Sequence, residues 1–337
     1  MALKSFLVAG LGSMGKRRVR NLQALGFTDI LGFEARAERR KEVAQTLRIK
    51  VINSLEEASG IDALVISTPP DAHESFIEWS IKKRKPCFVE LDILLGNLRK
   101  LSTMAEMQAV FISPSTTFLF HPAIMHLAQI VKNKSLGEIT GFSYHSGQYL
   151  PDWHPWESVK DFFVGKPETS GCMELLAFEL HWIAVLLGIP EDITVLSRQN
   201  LKLGLKSDDN FAVGLGYPHF AGSLTVDVIS RFATRNLIVN FQNGQVRWNW
   251  EEPWLRVYDS ETKAWEKHEF TRTQAHNGYN ENLSEAMYVD ELHAFIVAAQ
   301  GGAPFPTTMK TNLQVLGLIR SIAAQSHHAE PKRKVRT

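Results

Sequence analysis

Apolar residues follow two rhythms along the chain, and the rhythm changes near residue 120. Before that point, short apolar runs alternate with stretches of helical spacing. Ser5 to Ala9 reads as a buried strand and Gly10 to Gly15 as a turn. Lys16 to Leu25 reads as a helix with Val19, Leu22 and Leu25 at helical spacing, stopped by Gly26. Further strands are expected over 29–33, 63–67, 87–89 and 110–112, and helices over 38–47, 72–83 and 97–107. Strand and helix in alternation imply βαβ units and a parallel sheet, because parallel neighbours need a crossover.

After Phe120 the pattern is different. A helix is expected from His121-Pro122 to about Lys132, with proline near its first turn. Long alternating runs follow over 138–149, 194–205, 210–215, 222–229, 236–241, 245–250 and 254–258. Asn243-Gly244 between two of them is a hairpin signal. Helices are expected over 171–187, 284–299 and 311–325. The chain thus predicts an α/β doubly wound domain over 1–120 and an α+β domain over 121–337 with a large, open, mainly antiparallel sheet.

Composition narrows this picture. A length of 337 residues suits two domains, and 44% hydrophobic with 22% charged residues suits a globular core. Lys+Arg is 37 and Asp+Glu is 36, so no global field gathers nucleic acid or an anionic membrane. The basic run from Lys82 to Lys85 reads as a helix end, and that from Lys332 to Lys334 as a solvated tail. Two cysteines, Cys87 and Cys172, are no disulfide framework and suggest the reducing cytoplasm. No apolar run approaches the length of a membrane span. No cluster has metal-ligand spacing, so no metal is expected.

The candidate chemistry starts at Gly10-Leu11-Gly12-Ser13-Met14-Gly15, which fits G-x-G-x-x-G between a strand and a helix. The first glycine permits the turn, the second lets backbone approach a pyrophosphate, and the third lets helix and strand pack closely. The helix N-terminus then meets phosphate charge with backbone N–H groups. A dinucleotide site also needs an acid at the end of the second strand to bind the adenosine ribose, and Glu34 stands there. That carboxylate favours NAD. Arg36, Arg39 and Arg40 follow closely, so NADP stays open.

At this point the chain resembles the Gfo/Idh/MocA oxidoreductases. Residues Gly10 to Arg18 are similar to that family's G-x-G-S-[IM]-G-x-R-H start. Ser67-Thr68-Pro69-Pro70-Asp71-Ala72-His73 resembles its T-P-x-x-x-H segment, which borders the cofactor. Phe120-His121-Pro122 resembles its R-F-H-P entry to the second domain, with Leu119 where arginine is common. Glu285 to Phe295 resembles its M-Y-x-x-E-x-x-x-F helix. The resemblance implies a Rossmann domain followed by an α+β domain. It also implies hydride transfer between NAD(P) and a sugar, inositol or related polyol, and a homodimer or homotetramer formed through the open sheet. Gly10, Gly12, Ser13, Met14, Gly15, Glu34, Arg36, Ser67, Thr68, Pro69, His73 and Glu90 are the expected cofactor residues.

The resemblance breaks where chemistry is expected. The family's E-K-P segment reads Glu90-Leu91-Asp92 here, and leucine neither carries a proton nor donates a hydrogen bond. The family's G-G-x-x-x-D-x-x-x-H helix corresponds to the region from Ser170 to Trp182. One register puts Glu174 on the acid and Phe178 on the histidine. Another puts Ala177 on the acid and His181 on the histidine. Positions 174, 178 and 181 share one helix face, with Glu174 and His181 about 10 Å apart. The expected catalytic pair is therefore His181 supported by Glu174, with core packing as the plain alternative for both. By the same resemblance, the loop with Tyr149, Asp152, Trp153, His154 and Trp156 suits sugar binding, since aromatic faces stack on sugar C–H faces. His121 is a further substrate candidate. The rival expectation is a dinucleotide-binding protein, a sensor or assembly subunit, with no dehydrogenase activity.

Overall fold

The computed structural model describes residues 2–153, 159, 171–201, 203–205, 207–271 and 285–326. The chain divides into two compact units, 1–120 with 285–316 and 121–284 with 317–337.

The first unit alternates β1 (Ser5–Ala9), α1 (Ser13–Ala24), β2 (Asp29–Phe33), α2 (Ala37–Thr46), β3 (Lys50–Ile52), β4 (Ala63–Ile66), α3 (His73–Lys83), β5 (Cys87–Val89), α4 (Leu98–Met107) and β6 (Ile112–Pro114). All six strands are parallel, in the order β3-β2-β1-β4-β5-β6. Strands β1, β4 and β5 are buried along their whole length, which is why they read as continuous apolar runs. Strand order reverses between β1 and β4. In such sheets ligands bind outside the carboxyl ends of the strands at that reversal.

This unit is not continuous in sequence, unlike the expected break after residue 120. Leu292, Phe295 and Ile296 of α7 (Glu285–Ala299) join Phe6, Val8 and Phe88 in its core. Phe295 meets the Phe88 ring edge-on at 5.8 Å, and burying such a side chain is worth about 1.5–3 kcal/mol. The expected domain 121–337 thus gives up residues 285–316 to the first unit, because the apolar stripe of α7 is buried there.

The second unit holds α5 (Pro122–Asn133), β7 (Ile139–Tyr149), α6 (Gly171–Leu187), β8 (Asp192–Arg198), β9 (Asn210–Gly216), β10 (Ala221–Asp227), β11 (Ile229–Phe241), β12 (Gly244–Asn249), β13 (Trp254–Asp259) and β14 (Ala264–Glu269). The division of the chain falls inside α8 (Met309–Gln325). The sheet order is β14-β13-β12-β11-β7-β10-β9-β8, antiparallel except for β7 beside β10. Burial alternates along its strands. Phe142, Tyr144 and Ser146 of β7 and Phe211, Val213 and Leu215 of β9 are buried on the face that α6 packs against. The opposite face carries small side chains in register: Ser143 beside Ser223, and Ser223 beside Gly214.

Three expected boundaries shift for local reasons. Strand β8 ends at Arg198 rather than 205, because the Asp209 carboxylate accepts from the backbone N–H of Asn200 and Leu201 and turns the chain. Strand β11 starts at Ile229, with an irregular register between Ile229 and Thr234. The hairpin at Asn243 turns through Gln242 and Asn243, since Phe241 pairs with Gly244. Among the described residues, no helix is long and apolar enough to cross a membrane.

Candidate cofactor and active site

The turn after β1 is built by its glycines. Gly10 has φ +84°, and a side chain there would press on the Ser67 carbonyl at 2.7 Å. A Cβ on Gly15 would lie 1.8 Å from the Gly10 carbonyl oxygen, so α1 packs onto the turn only with glycine there. Gly12 differs: the nearest atom to a Cβ there is Arg39 Nη1, at 3.7 Å. Gly12 is the N-cap of α1, no side chain caps that helix, and its first turn, opening with Ser13 and Met14, has no acid. The first turn of α1 therefore offers its backbone N–H groups with no acid of its own.

Glu34 follows β2 and is buried. Its Oε2 accepts from the Leu11 backbone N–H at 3.1 Å and its Oε1 from that of Arg36 at 3.0 Å. Arg36 thus orients the carboxylate through its backbone. Arg39 Nη1 lies 3.6 Å from Glu34 Oε2, while Arg40 donates to the carbonyls of Glu34 and Ala35. A carboxylate held by two N–H groups keeps further lone pairs for ribose hydroxyls. An uncapped helix, a side-chain-free approach at Gly12 and a fixed acid fit a dinucleotide.

Ser67, Thr68 and Pro69 continue from β4. The Ser67 hydroxyl donates to Glu90 Oε1 at 3.5 Å. His73 opens α3 fully buried: its Nδ1 lies 2.6 Å from Asp92 Oδ1 and its Nε2 donates to the Thr68 carbonyl at 2.8 Å. Burial opposes the charge on His73, but the Asp92 carboxylate outweighs it and raises the imidazole pKa. Both ring nitrogens are engaged, so His73 supports the Thr68 loop from beneath. Asp92, standing where a proline was expected, is its partner.

The largest feature missed in the sequence is Arg18. Its guanidinium is fully buried, with Nε 2.5 Å from Glu90 Oε1 and Nη2 3.2 Å from Glu90 Oε2. Nη2 also reaches Glu291 Oε2 at 2.7 Å, and Nη1 donates to the Tyr288 carbonyl at 3.2 Å. Glu291 accepts besides from Ser115 Oγ, the Thr116 N–H and Thr117 Oγ1. The available signal was an acid among Tyr288, Leu292 and Phe295 at helical spacing, since buried acids are nearly always paired.

In the second unit, α6 carries the other candidates. Glu179 faces the sheet and accepts from Tyr144 Oη, Ser146 Oγ, Trp182 Nε1 and Arg235 Nε, a satisfied buried hub. His181 is buried, and its Nδ1 donates to the Ala177 carbonyl at 2.7 Å. Glu174 has a buried Oε2 with no hydrogen-bond partner among the described residues. Desolvation pushes its carboxyl up to about 8.

That shift has a sign for stability. The unfolded carboxyl ionises near 4.5 and the folded one near 8, so the native state holds the extra proton between them. Stability therefore falls as pH rises through this window, with the full loss above it. Glu174→Gln should match the parent near pH 5 and exceed it by at least about 1 kcal/mol at pH 8.5 in urea unfolding. Equal pH slopes for the two proteins would refute the assignment.

His121 accepts from the Ala123 N–H at 3.2 Å and caps α5, its ring centroid 4.9 Å from that of Trp248 and 5.7 Å from that of Trp250. This gives it a packing and capping duty rather than an open ligand position. Tyr149 ends β7 with the Arg231 guanidinium 3.8 Å over its ring. Trp153 has its Nε1 buried without a partner among the described residues. His154 and Trp156 lie outside the described residues.

Residues 4–115 match the model of the Gfo/Idh/MocA oxidoreductase family, described as having an NAD-binding Rossmann fold. The matched stretch is similar to the NAD-binding Rossmann domain of that family. Solved structures extend the likeness in fold to both units. An oxidoreductase from Agrobacterium radiobacter, in complex with NAD+, L-tartaric acid and magnesium, aligns with TM-score 0.82 at 13% identity over 98% of each chain. UDP-N-acetylglucosamine 3-dehydrogenase from Acidithiobacillus ferrooxidans aligns with TM-score 0.77 at 16% identity, over 98% of this chain and 99% of that one. Levoglucosan dehydrogenase with NADH and levoglucosan aligns with TM-score 0.79 at 14% identity over 96% of each chain. Among curated sequences nothing matches this chain. Among the described residues, no group of three or more His, Cys, Asp or Glu side chains is arranged to hold a metal ion.

Proposed function

We propose that the protein is an NAD-dependent oxidoreductase that moves a hydride between nicotinamide and a carbinol carbon of a sugar, inositol or related polyol. The observation that carries this reading is the Rossmann turn, open at Gly12 and flanked by a fixed Glu34. The sugar dehydrogenases that share the fold support the substrate class.

When bound, the cofactor supplies the hydride acceptor or donor. Backbone N–H groups at the start of α1 would hold its pyrophosphate, and Glu34 would accept from the ribose hydroxyls. Glu90, anchored by Arg18, would border the nicotinamide half of the cofactor. In the second unit, His181, held by its Nδ1 bond to the Ala177 carbonyl, would take the hydroxyl proton of the substrate. Glu174 stays protonated near neutrality and donates a hydrogen bond to the same substrate. Trp153, and Tyr149 on the ring face that Arg231 leaves uncovered, would offer aromatic faces to the sugar ring, and His154 and Trp156, outside the described residues, are proposed for the same substrate. Leu91 contributes no proton.

Absorbance at 340 nm over a sugar and polyol panel, with NAD and NADP, tests the reading. His181→Ala should lower kcat by about 10²–10⁴ on a confirmed substrate. Unchanged turnover would remove His181 from the mechanism. Leu91 favours one rival reading, a dinucleotide-binding protein without dehydrogenase activity. That rival would show NAD(H) binding in calorimetry and no absorbance change with any panel member. The small side chains around Ser143, Ser223 and Gly214 suit close apposition of a second copy, so a homodimer or homotetramer is proposed through that face. Ser223→Arg should shift the protein to monomer in light scattering.

A further inference from the structure

The carboxyl end of β5 presents Glu90, Leu91 and Asp92 in succession, and this segment brings no cation of its own. Its cations come from elsewhere in the first unit. Arg18 of α1 grips Glu90 with Nε and Nη2, and the same guanidinium is shared with Glu291. His73 of α3 neutralises Asp92. Three carboxylates thus stand against two cations. Glu291 and Asp92 are closed off, with side chains 0% and 2% exposed, whereas Glu90 is 13% exposed. The one open carboxylate therefore lies at the strand ends where a doubly wound sheet receives its ligand.

A dinucleotide occupies such a sheet one mononucleotide per half. Glu34, at the end of β2, assigns the adenosine to the half made of β1, β2 and β3. The nicotinamide then falls to the half made of β4, β5 and β6, beside Glu90. The oxidised nicotinamide ring carries a positive charge and the reduced ring none. An anionic edge therefore discriminates between the two redox forms, by an amount set by the distance and the local dielectric.

We propose that the Glu90 cluster makes this site bind oxidised cofactor more tightly than reduced cofactor, and so makes the bound reduced form a stronger hydride donor. This rests on the NAD reading above and adds a direction to it: carbonyl reduction. In that direction a hydride passes from the reduced ring to a carbonyl carbon. The carbonyl oxygen takes a proton from protonated His181, the reverse of the transfer proposed above, and an alcohol, the oxidised ring and neutral His181 remain. A tenfold preference for the oxidised form lowers the potential of the bound two-electron couple by about 30 mV.

The test is calorimetric titration of the full chain with NAD+ and with NADH, for the parent, Glu90→Gln and Leu91→Lys. The first variant removes the anion and keeps an acceptor for Arg18. The second leaves the cluster intact and adds an ammonium. The parent should prefer NAD+, and each variant should move the ratio of the two dissociation constants toward NADH by about tenfold. A parent that prefers NADH would overturn the proposal. So would an unchanged ratio in Leu91→Lys while both forms still bind. A parent that binds neither form would instead overturn the cofactor reading itself, and this proposal with it.

Discussion

Arg18→Met is expected to destabilise the protein by about 3–5 kcal/mol, measured as the free energy of unfolding in urea. The methionine fills much of the volume but leaves Glu291 fully buried with its ionic partner gone, and Glu90 nearly so. Removing one member of a buried ion pair costs more than the pair contributes, because the remaining charge stays desolvated. Lysine is no substitute. Its ammonium is a point charge and cannot span both Glu90 oxygens and Glu291 as the guanidinium does, so Arg18→Lys should recover only part of the loss. The double variant Arg18→Met, Glu291→Gln should be more stable than the single one, since it removes the stranded charge. If Arg18→Met unfolds at the parent's urea midpoint, the cluster carries no such energy.

Gly12→Val is expected to leave the fold unchanged and to weaken NAD+ by at least about a hundredfold. Gly12 has φ −69°, which any L-residue adopts, and only Arg39 Nη1 comes within 4 Å of a Cβ there. The new Cβ therefore meets only the end of the flexible Arg39 side chain, at 3.7 Å, and the branches fill the approach of the pyrophosphate. Gly15→Ala should behave in the opposite way. Its methyl would sit 1.8 Å from the Gly10 carbonyl oxygen, so stability falls before binding is tested. Thermal melts and NAD+ titrations on both variants separate the two roles. Equal NAD+ affinity for Gly12→Val and the parent would mean that the turn holds no pyrophosphate.

Local chemistry was legible in the sequence where it is local in the fold. Strands β1, β2 and β5 and helix α6 run over the residues that their apolar patterns predict. The glycine turn and Glu34 lie close together in the chain and meet in space through one hydrogen bond to Leu11. Strand β3 is three residues long and β14 is an edge strand exposed at most positions, so neither carries a burial rhythm to read. Arg18 and Glu291 are 273 positions apart, and nothing in the sequence links the one to the other. The same holds for His73 and Asp92, where an expected proline is replaced by an acid whose purpose appears only beside the imidazole. Long-range charge pairing escaped the reading because Glu291, although set among the apolar positions of α7, does not name its partner, and Arg18 sits in a basic run that reads as surface.

The return of α7 to the first unit sets an order of events on the ribosome. By the time residue 120 has emerged, the N-terminal strands are available, yet Leu292 and Phe295, which complete their core, and Glu291, which shares Arg18, have not been synthesised. Until then Phe6, Val8 and Phe88 lack part of their apolar cover, and an arginine destined for the interior lacks one of its two acids. The N-terminal half must stay unfinished through translation of more than 160 further residues, the interval in which such intermediates are most open to chaperones and to aggregation.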